Sequence, residues 1–305
     1  MRPLESGVKA LVLCLVCVSL VLPGCATQEA TAESSPLRIL LTNDDGYDAP
    51  GIQALRAALL EAGHDVTVVA PSADQSGAGA RVTSRGTIGY REHSKGVWSV
   101  DGFPADAVLV GLLHIMEDDA PDLVVSGANF GQNLGYSINS GTVGAATIAM
   151  YAGTPAIAFS VGVDYSEIEA KPIPFPSTFS AFSGAADFCV QLIADLRNAR
   201  PGDVRVLPEH TILNVNYPAL VPDEIQGVRV LQAARSSGVV IDYEETDAEG
   251  QLEVRVGPMG PDGTDTDLQV FPRGFVTITV FDGDWDAGEG LRETIEERLS
   301  VTERH

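Results

Sequence analysis

Arg38-Ile-Leu-Leu-Thr-Asn-Asp-Asp-Gly-Tyr-Asp-Ala-Pro-Gly51 is the stretch whose reading decides the fold. The apolar run Ile39 to Leu41 leads to two adjacent carboxylates, Asp44 and Asp45, and then to a glycine. Beyond Pro50, the residues Ile52, Leu55, Leu59 and Ala62 recur at three- and four-residue spacing. That spacing predicts a helix with one apolar face, Pro50 in its first turn and Gly63 at its C-terminal cap. Strand, loop and helix in this order put both acids at the carboxyl end of a buried strand. In open α/β sheets ligands bind beyond that edge, and adjacent carboxylates repel unless a cation or a proton intervenes. A divalent metal answers the repulsion. Asp-Gly pairs also shape turns and cap helices, and this stretch alone fits both readings.

Working outward, Asp65-Val-Thr-Val-Val-Ala70 predicts a second strand of β-branched residues, opening into the loop Pro71 to Gly79 with Gln75-Ser76-Gly77. A helical crossover between the two strands makes a βαβ unit and brings both loops to one sheet edge. Ser76 there either reaches a metal on Asp44 and Asp45 or satisfies loop backbone. The polar stretch Thr83 to Val100 predicts only a short strand around Trp98 and Val100. A helix is expected from Gly102-Phe-Pro-Ala-Asp106 through Ile115, buried through Ala107, Val108, Gly111, Leu112 and Ile115, with Asp106 at its positive end.

Asp122 to Ser126 predicts the next strand, followed by a glycine-rich loop, Gly127 to Gly135. In it Asn129 offers a carbonyl oxygen to a hard cation and Asn133 a donor to phosphate. Asn139-Ser-Gly-Thr-Val-Gly-Ala-Ala146 then enters a helix running to Tyr151. Ser140 suits the N-cap, and the N–H groups of Gly141 and Thr142 suit an anion at the positive helix end. Such loops also serve as plain turns, and a capped helix needs no ligand. Together, two carboxylates, a hydroxyl, an amide and a helix N-terminus on one edge describe an oxyanion site with a hard metal, magnesium or manganese. Cys189 stands apart and the five histidines are scattered, which argues against zinc. Dinucleotide and P-loop glycine patterns are absent, as is the Gly-x-Ser-x-Gly elbow.

The second half is chemically quieter. Ala181 to Leu196 predicts a helix, Thr211 to Val215, Val228 to Leu231 and Phe275 to Phe281 predict strands, and Leu291 to Leu299 a closing helix. Val239 to Tyr243 and Leu252 to Val256 predict a β-hairpin arm over about 236–258, placed to form a dimer contact or wall the pocket. The acidic cluster Asp282 to Glu289 lacks the spacing of a calcium loop.

With 305 residues and 45% hydrophobic content the chain can bury one large core. Its first 24 residues differ in kind: Arg2 and Lys9 precede the apolar run Ala10 to Leu22, and Leu22-Pro-Gly-Cys25 follows. This resembles the bacterial lipobox, with cleavage before Cys25 and acylation of its thiol. An uncleaved anchor helix is the competing reading, and the apolar run is short for a span. The expected organisation is a signal peptide over 1–24, a tether over 25–36 and one catalytic domain over 37–305. Such a chain is exported and lipid-anchored, on the periplasmic side of a membrane or at the cell surface. Cys14 and Cys17 leave with the signal and Cys25 is lipidated, so Cys189 remains, in an apolar helical pattern that suits packing rather than reactivity. The formal charge is −23, and loss of Arg2, Lys9 and Glu5 with the signal takes it to −24. Nucleic-acid polymers and anionic membranes are repelled by such a surface. An anionic substrate must be met locally, by a metal and backbone N–H groups.

Several spaced motifs occurring together are similar to the SurE family of 5′/3′-nucleotidases. They are Thr42-Asn-Asp-Asp-Gly46 with Ala49-Pro-Gly51, Ala70-Pro71 with Gln75-Ser-Gly77, Ser126-Gly-Ala-Asn129 with Gly131 and Asn133, and Ser140-Gly-Thr-Val-Gly-Ala-Ala146. Pro155 to Ser160, Leu213-Asn-Val-Asn-Tyr-Pro218, Gly263 to Asp267 and Gly274 to Thr279 resemble its later blocks. The resemblance implies a Rossmann-like three-layer α/β sheet with a hairpin arm and terminal helix. It implies one divalent metal on Asp44, Asp45, Ser76 and Asn129, and phosphate contacts from Asn133, Ser140 and Thr142, with Asn129 and Gly141 expected at the phosphate as well. Nucleoside monophosphates are the implied substrates, with short polyphosphate for some members, and the implied assembly is a homodimer through an exchanged C-terminal element, or a homotetramer. This chain departs at Thr147-Ile-Ala149, where an acidic residue is usual, at Phe103, where threonine is usual, and in its export signal.

The expected reaction is attack of water on a phosphomonoester, with Asp44 orienting the water, Asp45 chiefly a ligand, and Asn133, Ser140 and Thr142 stabilising the transferring group. The acids are adjacent rather than spaced Asp-x-Asp as in haloacid-dehalogenase-like phosphatases. A lipid-tethered protein that binds nucleotides without turning them over is the alternative. The adjacent carboxylates favour the enzyme.

Overall fold

β1 (Arg38–Thr42) is hydrogen-bonded in parallel to β2 (Asp65–Pro71) on one side and β5 (Leu123–Phe130) on the other. Its alternation sends Ile39 and Leu41 into one core and Leu40 into the other, so the strand reads as an unbroken apolar run because both faces are covered. The structure, a computed structural model, describes residues 35–171, 173–199, 205–260, 265–284 and 289–299. The chain divides into Met1–Ser35 and Pro36–His305, and every described helix and strand belongs to the second unit. The expected signal peptide, Cys25, the expected tether up to residue 34, Gly263, Thr264 and residues 285–288 of the acidic cluster lie outside the described residues.

Nine strands make one sheet. To the three above are added β3 (Tyr90–Ser94), β4 (Val97–Val100), β6 (Ala156–Val161), β7 (Ile212–Tyr217), β8 (Val228–Leu231) and β11 (Val276–Phe281), in the order β3-β4-β2-β1-β5-β6-β7-β11-β8. The pairs β3 with β4 and β7 with β11 are antiparallel and the rest parallel. Helices α1 (Pro50–Glu61) and α4 (Pro176–Asn198) cover one face through Ile52, Leu55, Leu59, Phe182, Cys189 and Ile193. Helices α2 (Pro104–Val110) and α3 (Gly141–Tyr151) cover the other through Ala107, Val108, Ala145 and Met150. The result is a three-layer, Rossmann-like α/β fold. A separate hairpin, β9 (Val239–Glu245) with β10 (Leu252–Pro258), forms the expected arm, and the short α5 (Asp267–Val270) and the terminal α6 (Glu289–Leu299) complete the order. Among the described residues α4 alone has the length and hydropathy of a membrane span. Its buried face is that of a core helix.

The structure corrects five local expectations. Gly127 to Phe130 is not loop: β5 continues to Phe130, and pairing with β6 shifts register between Ser126 and Asn129 before resuming. A side chain at Gly127 would collide with the Phe159 carbonyl of β6, so this glycine serves close strand packing rather than a turn. β3 was unexpected because an exposed edge strand carries no apolar alternation, and Arg91, Glu92 and His93 read as loop. The helix expected to reach Ile115 ends at Val110, and Gly111–Ile115 form a wider helical turn. α4 begins at Pro176 rather than Ala181, with Pro in its first turn. Ala62 is exposed, because α1 stops at Glu61 and Gly63 turns the chain with φ +84°.

Candidate active site

The β1 to α1 loop is a turn closed on itself. Asn43 accepts from Gly46 N at 3.2 Å and donates to Gly46 O at 2.9 Å, and this fixes the two acids between them. Asp44 is buried, and its Oδ1 accepts the Thr142 hydroxyl at 2.7 Å. Burial drives its pKa up, against hydrogen bonds from the Thr142 hydroxyl and from the backbone N–H groups of Asp44 and Thr142. Asp45 Oδ2 accepts from Phe130 N at 3.0 Å. Burial, reinforced by the neighbouring Asp44 charge, pushes Asp45 up to about 7. Exposed Asp74 adds a third negative charge to the pair while its Oδ1 accepts from Ser76 N at 2.7 Å. These groups strain toward a proton or a cation.

α3 is aimed at Asp44. Ser140 caps the helix, its Oγ accepting from Val143 N at 3.1 Å. At Gly141 a Cβ would lie 2.7 Å from Asp44 Oδ2, so only glycine lets the helix start approach the carboxylate this closely. The positive helix end therefore serves Asp44 first. Thr142, expected at the phosphate, is fully buried, and its hydroxyl is engaged with Asp44.

Asn129 Nδ2 donates to Gly131 O at 2.6 Å, which turns its carbonyl oxygen away from that bond and leaves it available to a cation. Asn133 is held on three sides. Its N–H donates to Asn216 Oδ1 at 2.6 Å, its carbonyl accepts from Asn214 Nδ2 at 2.7 Å and Asn216 Nδ2 at 3.1 Å, and its own Nδ2 donates to Ser160 Oγ at 2.9 Å. One amide N–H is thus engaged and the second remains. Asp44, Ser76, Asn129, Asn133 and Ser140 line one cavity of about 300 Å³, and Asp45, Gly141 and Thr142 are not part of that lining. None of the described residues lining it is Lys, Arg or His. A larger cavity of about 600 Å³, between α3 and the end of β11, holds none of the expected site residues.

The family model described as Survival protein SurE matches residues 39–238. The chain belongs to the SurE family. It is 35% identical to 5′-nucleotidase SurE of Pseudoalteromonas atlantica, over 84% of this chain and 97% of that protein. It is 36% identical to 5′-nucleotidase SurE of Xylella fastidiosa, over 80% and 88%. The crystal structure of the SurE protein from Aquifex aeolicus superposes with a TM-score of 0.69 at 31% identity, covering 86% of this chain and 99% of that one. Against the usual SurE pattern, Thr147 turns its hydroxyl back to Val143 O at 2.8 Å and lines the larger cavity, and Phe103 lies under the Arg81 guanidinium at 4.1 Å. Neither lines the cavity at Asp44. Asn214, Asn216 and Asp267 lie in blocks that the sequence singles out without giving them a role, and all three are fully buried. Asp267 accepts from Gly135 N at 2.7 Å and Ala234 N at 2.9 Å, stapling the Asn133 loop to the chain before β9. Their signal was present: Asn214 and Asn216 are polar residues two apart in an otherwise apolar strand, hence on one face.

Proposed function

We propose that this chain is a divalent-metal-dependent phosphomonoesterase that hydrolyses nucleoside 5′-monophosphates, with 3′-monophosphates and short polyphosphate as secondary substrates. The observation that carries it is the cavity at Asp44: a carboxylate, next to that of Asp45, whose charge is opposed by burial, neutral oxygen and amide donors around it, and, among the described residues lining it, no cationic side chain to meet a phosphate. The names of its relatives, 5′-nucleotidase SurE, support the substrate class.

The donor set fits a hard cation. Asp44, Asp45, Asn129 and the exposed Ser76 hydroxyl offer oxygen alone, which suits magnesium or manganese. Bound there, the ion would supply Lewis-acid charge to the phosphate and lower the pKa of water. Asp44, fixed through Oδ1 by Thr142, uses Oδ2 to orient the attacking water and take its proton. Ser140 accepts from Val143 through its lone pair, so its own proton stays available to a phosphoryl oxygen. Asn133 adds its second amide N–H, from a backbone already locked by Asn214 and Asn216. Donors fixed in advance stabilise the transferring group without reorganising. Phosphate release from a panel of nucleoside monophosphates, generic phosphomonoesters and polyphosphate, with and without magnesium or manganese, tests the reading. Equal release with metal and with chelator would sink it.

We infer further that the chain is an exported lipoprotein, cleaved before Cys25 and tethered over 25–36 outside the cytoplasm. Palmitate labelling of the full chain should disappear in Cys25→Ser; persistent labelling excludes this anchor.

A further inference from the structure

We propose that Phe130, Tyr165 and Phe175 form a stacking subsite for the nucleobase, a proposal that rests on the nucleotidase reading. The lining of the cavity is of two kinds: Asp44, Asn133 and Ser140 are polar, and Phe130, Tyr165 and Phe175 bring three aromatic rings. The rings pack as one group. Phe130 and Phe175 meet at 5.9 Å and 74°, and Tyr165 and Phe175 at 6.4 Å and 88°. Phe130 is backed by Phe179 and Phe182 of α4 at 5.2 Å and 6.3 Å. The group is continuous with the polar residues: Asn129 precedes Phe130 in β5, and the Phe130 N–H is the donor to Asp45. A ligand whose phosphate sits by Ser140 and Asn133 therefore meets aromatic surface with its remaining part.

Two observations set these rings apart from filler. Phe175 holds φ 54° and ψ 48°, a left-handed conformation that a side chain disfavours, immediately before Pro176, which favours extended backbone. Its N–H donates to Glu167 O at 3.2 Å, and the Glu167 carboxylate accepts from Ser177 N and Oγ at 3.1 Å and 2.7 Å, so the loop is clamped in that shape. Backbone strain maintained by its surroundings clusters at functional sites. Tyr165 is half-buried, its ring meets Phe175 edge-on, and no side-chain hydrogen bond among the described residues ties it elsewhere. Every base has a π-face, so stacking tolerates any of them. The subsite separates nucleotides from baseless phosphoesters and discriminates little among bases.

The test is the ratio of kcat/KM for adenosine 5′-monophosphate to that for ribose 5-phosphate. It should fall about ten-fold in Tyr165→Leu and in Phe175→Leu, mainly through KM, and be kept in Tyr165→Phe, because base stacking on one aromatic side chain is commonly worth about five- to a hundred-fold. An unchanged ratio in folded variants overturns the proposal. Should the leucine variants fail to fold, the wild-type protein decides: adenosine should inhibit at a concentration at least about ten-fold below that of ribose, and equal inhibition overturns the subsite. If the wild-type protein hydrolyses neither ester, the nucleotidase reading falls, and equilibrium dialysis with adenosine and ribose still decides the subsite.

Discussion

Asp45 changes charge near neutral pH. Its carboxyl is ordinary in the unfolded chain and raised to about 7 in the folded one, by burial and by Asp44. An acid with a raised folded-state pKa is protonated in the native protein over a window where the unfolded chain has already lost the proton. Stability is then greatest at the acid end and falls as pH rises from about 4 to about 7, by at most about 1.4 kcal/mol per pH unit. Metal-free protein in chelator should lose Tm between pH 5 and 8, and Asp45→Asn should flatten that slope. An Asp45→Asn slope identical to wild type would contradict the burial and repulsion assigned to this carboxyl. Added magnesium should raise Tm more at pH 8 than at pH 5, since protons compete with the ion. Cys189 belongs to the same scale: burial pushes its thiol up to about 12, as its apolar helical setting in the sequence anticipated.

At the scale of the element, α3 and β7 make the site. Gly141→Ala is the direct probe of α3. Alanine favours a helix over glycine by about 1 kcal/mol, but here its Cβ would press on Asp44 Oδ2. The expected outcome is an intact fold by circular dichroism with kcat reduced at least about ten-fold, since displacing a catalytic group by a fraction of an ångström is costly. Full kcat in that variant would show that Asp44 need not sit where α3 holds it. Elements with local signals were legible: β1, α1 and the start of α3 follow from period, Pro50, Gly63 and the Ser140 cap. Elements defined by their neighbours were not. β3 has no alternation because solvent covers it, and the extension of β5 to Phe130 depends on Gly127 meeting the Phe159 carbonyl. The partner of the Thr142 hydroxyl is Asp44, 98 residues away, and no local pattern announces a choice of that range.

At the scale of the molecule, the parallel part of the sheet, β2-β1-β5-β6, collects Asp44, Ser76, Asn129 and Ser140 at one cavity, as the crossover order predicted. The hairpin is less self-sufficient. Ile241, Tyr243, Leu252, Val254 and Val256 are exposed on one face, while Arg255 pairs with Glu244 and Glu253 on the other. A two-stranded ribbon with one bare apolar face is marginal alone. We infer that a second copy of the chain covers it, in a homodimer or homotetramer. Light scattering should show a smaller particle for Tyr243→Lys with Val254→Lys, and an unchanged mass would place the interface elsewhere. The proposed hydrolysis turns on Asp44, whose Oδ1 is held by Thr142. Phosphate release from adenosine 5′-monophosphate with magnesium or manganese should be saturable in the wild-type protein and lost by at least about a hundred-fold in Asp44→Asn, while nucleotide binding persists. A folded, metal-loaded wild-type protein that binds the nucleotide and releases no phosphate would contradict catalysis and leave a nucleotide-binding protein in its place.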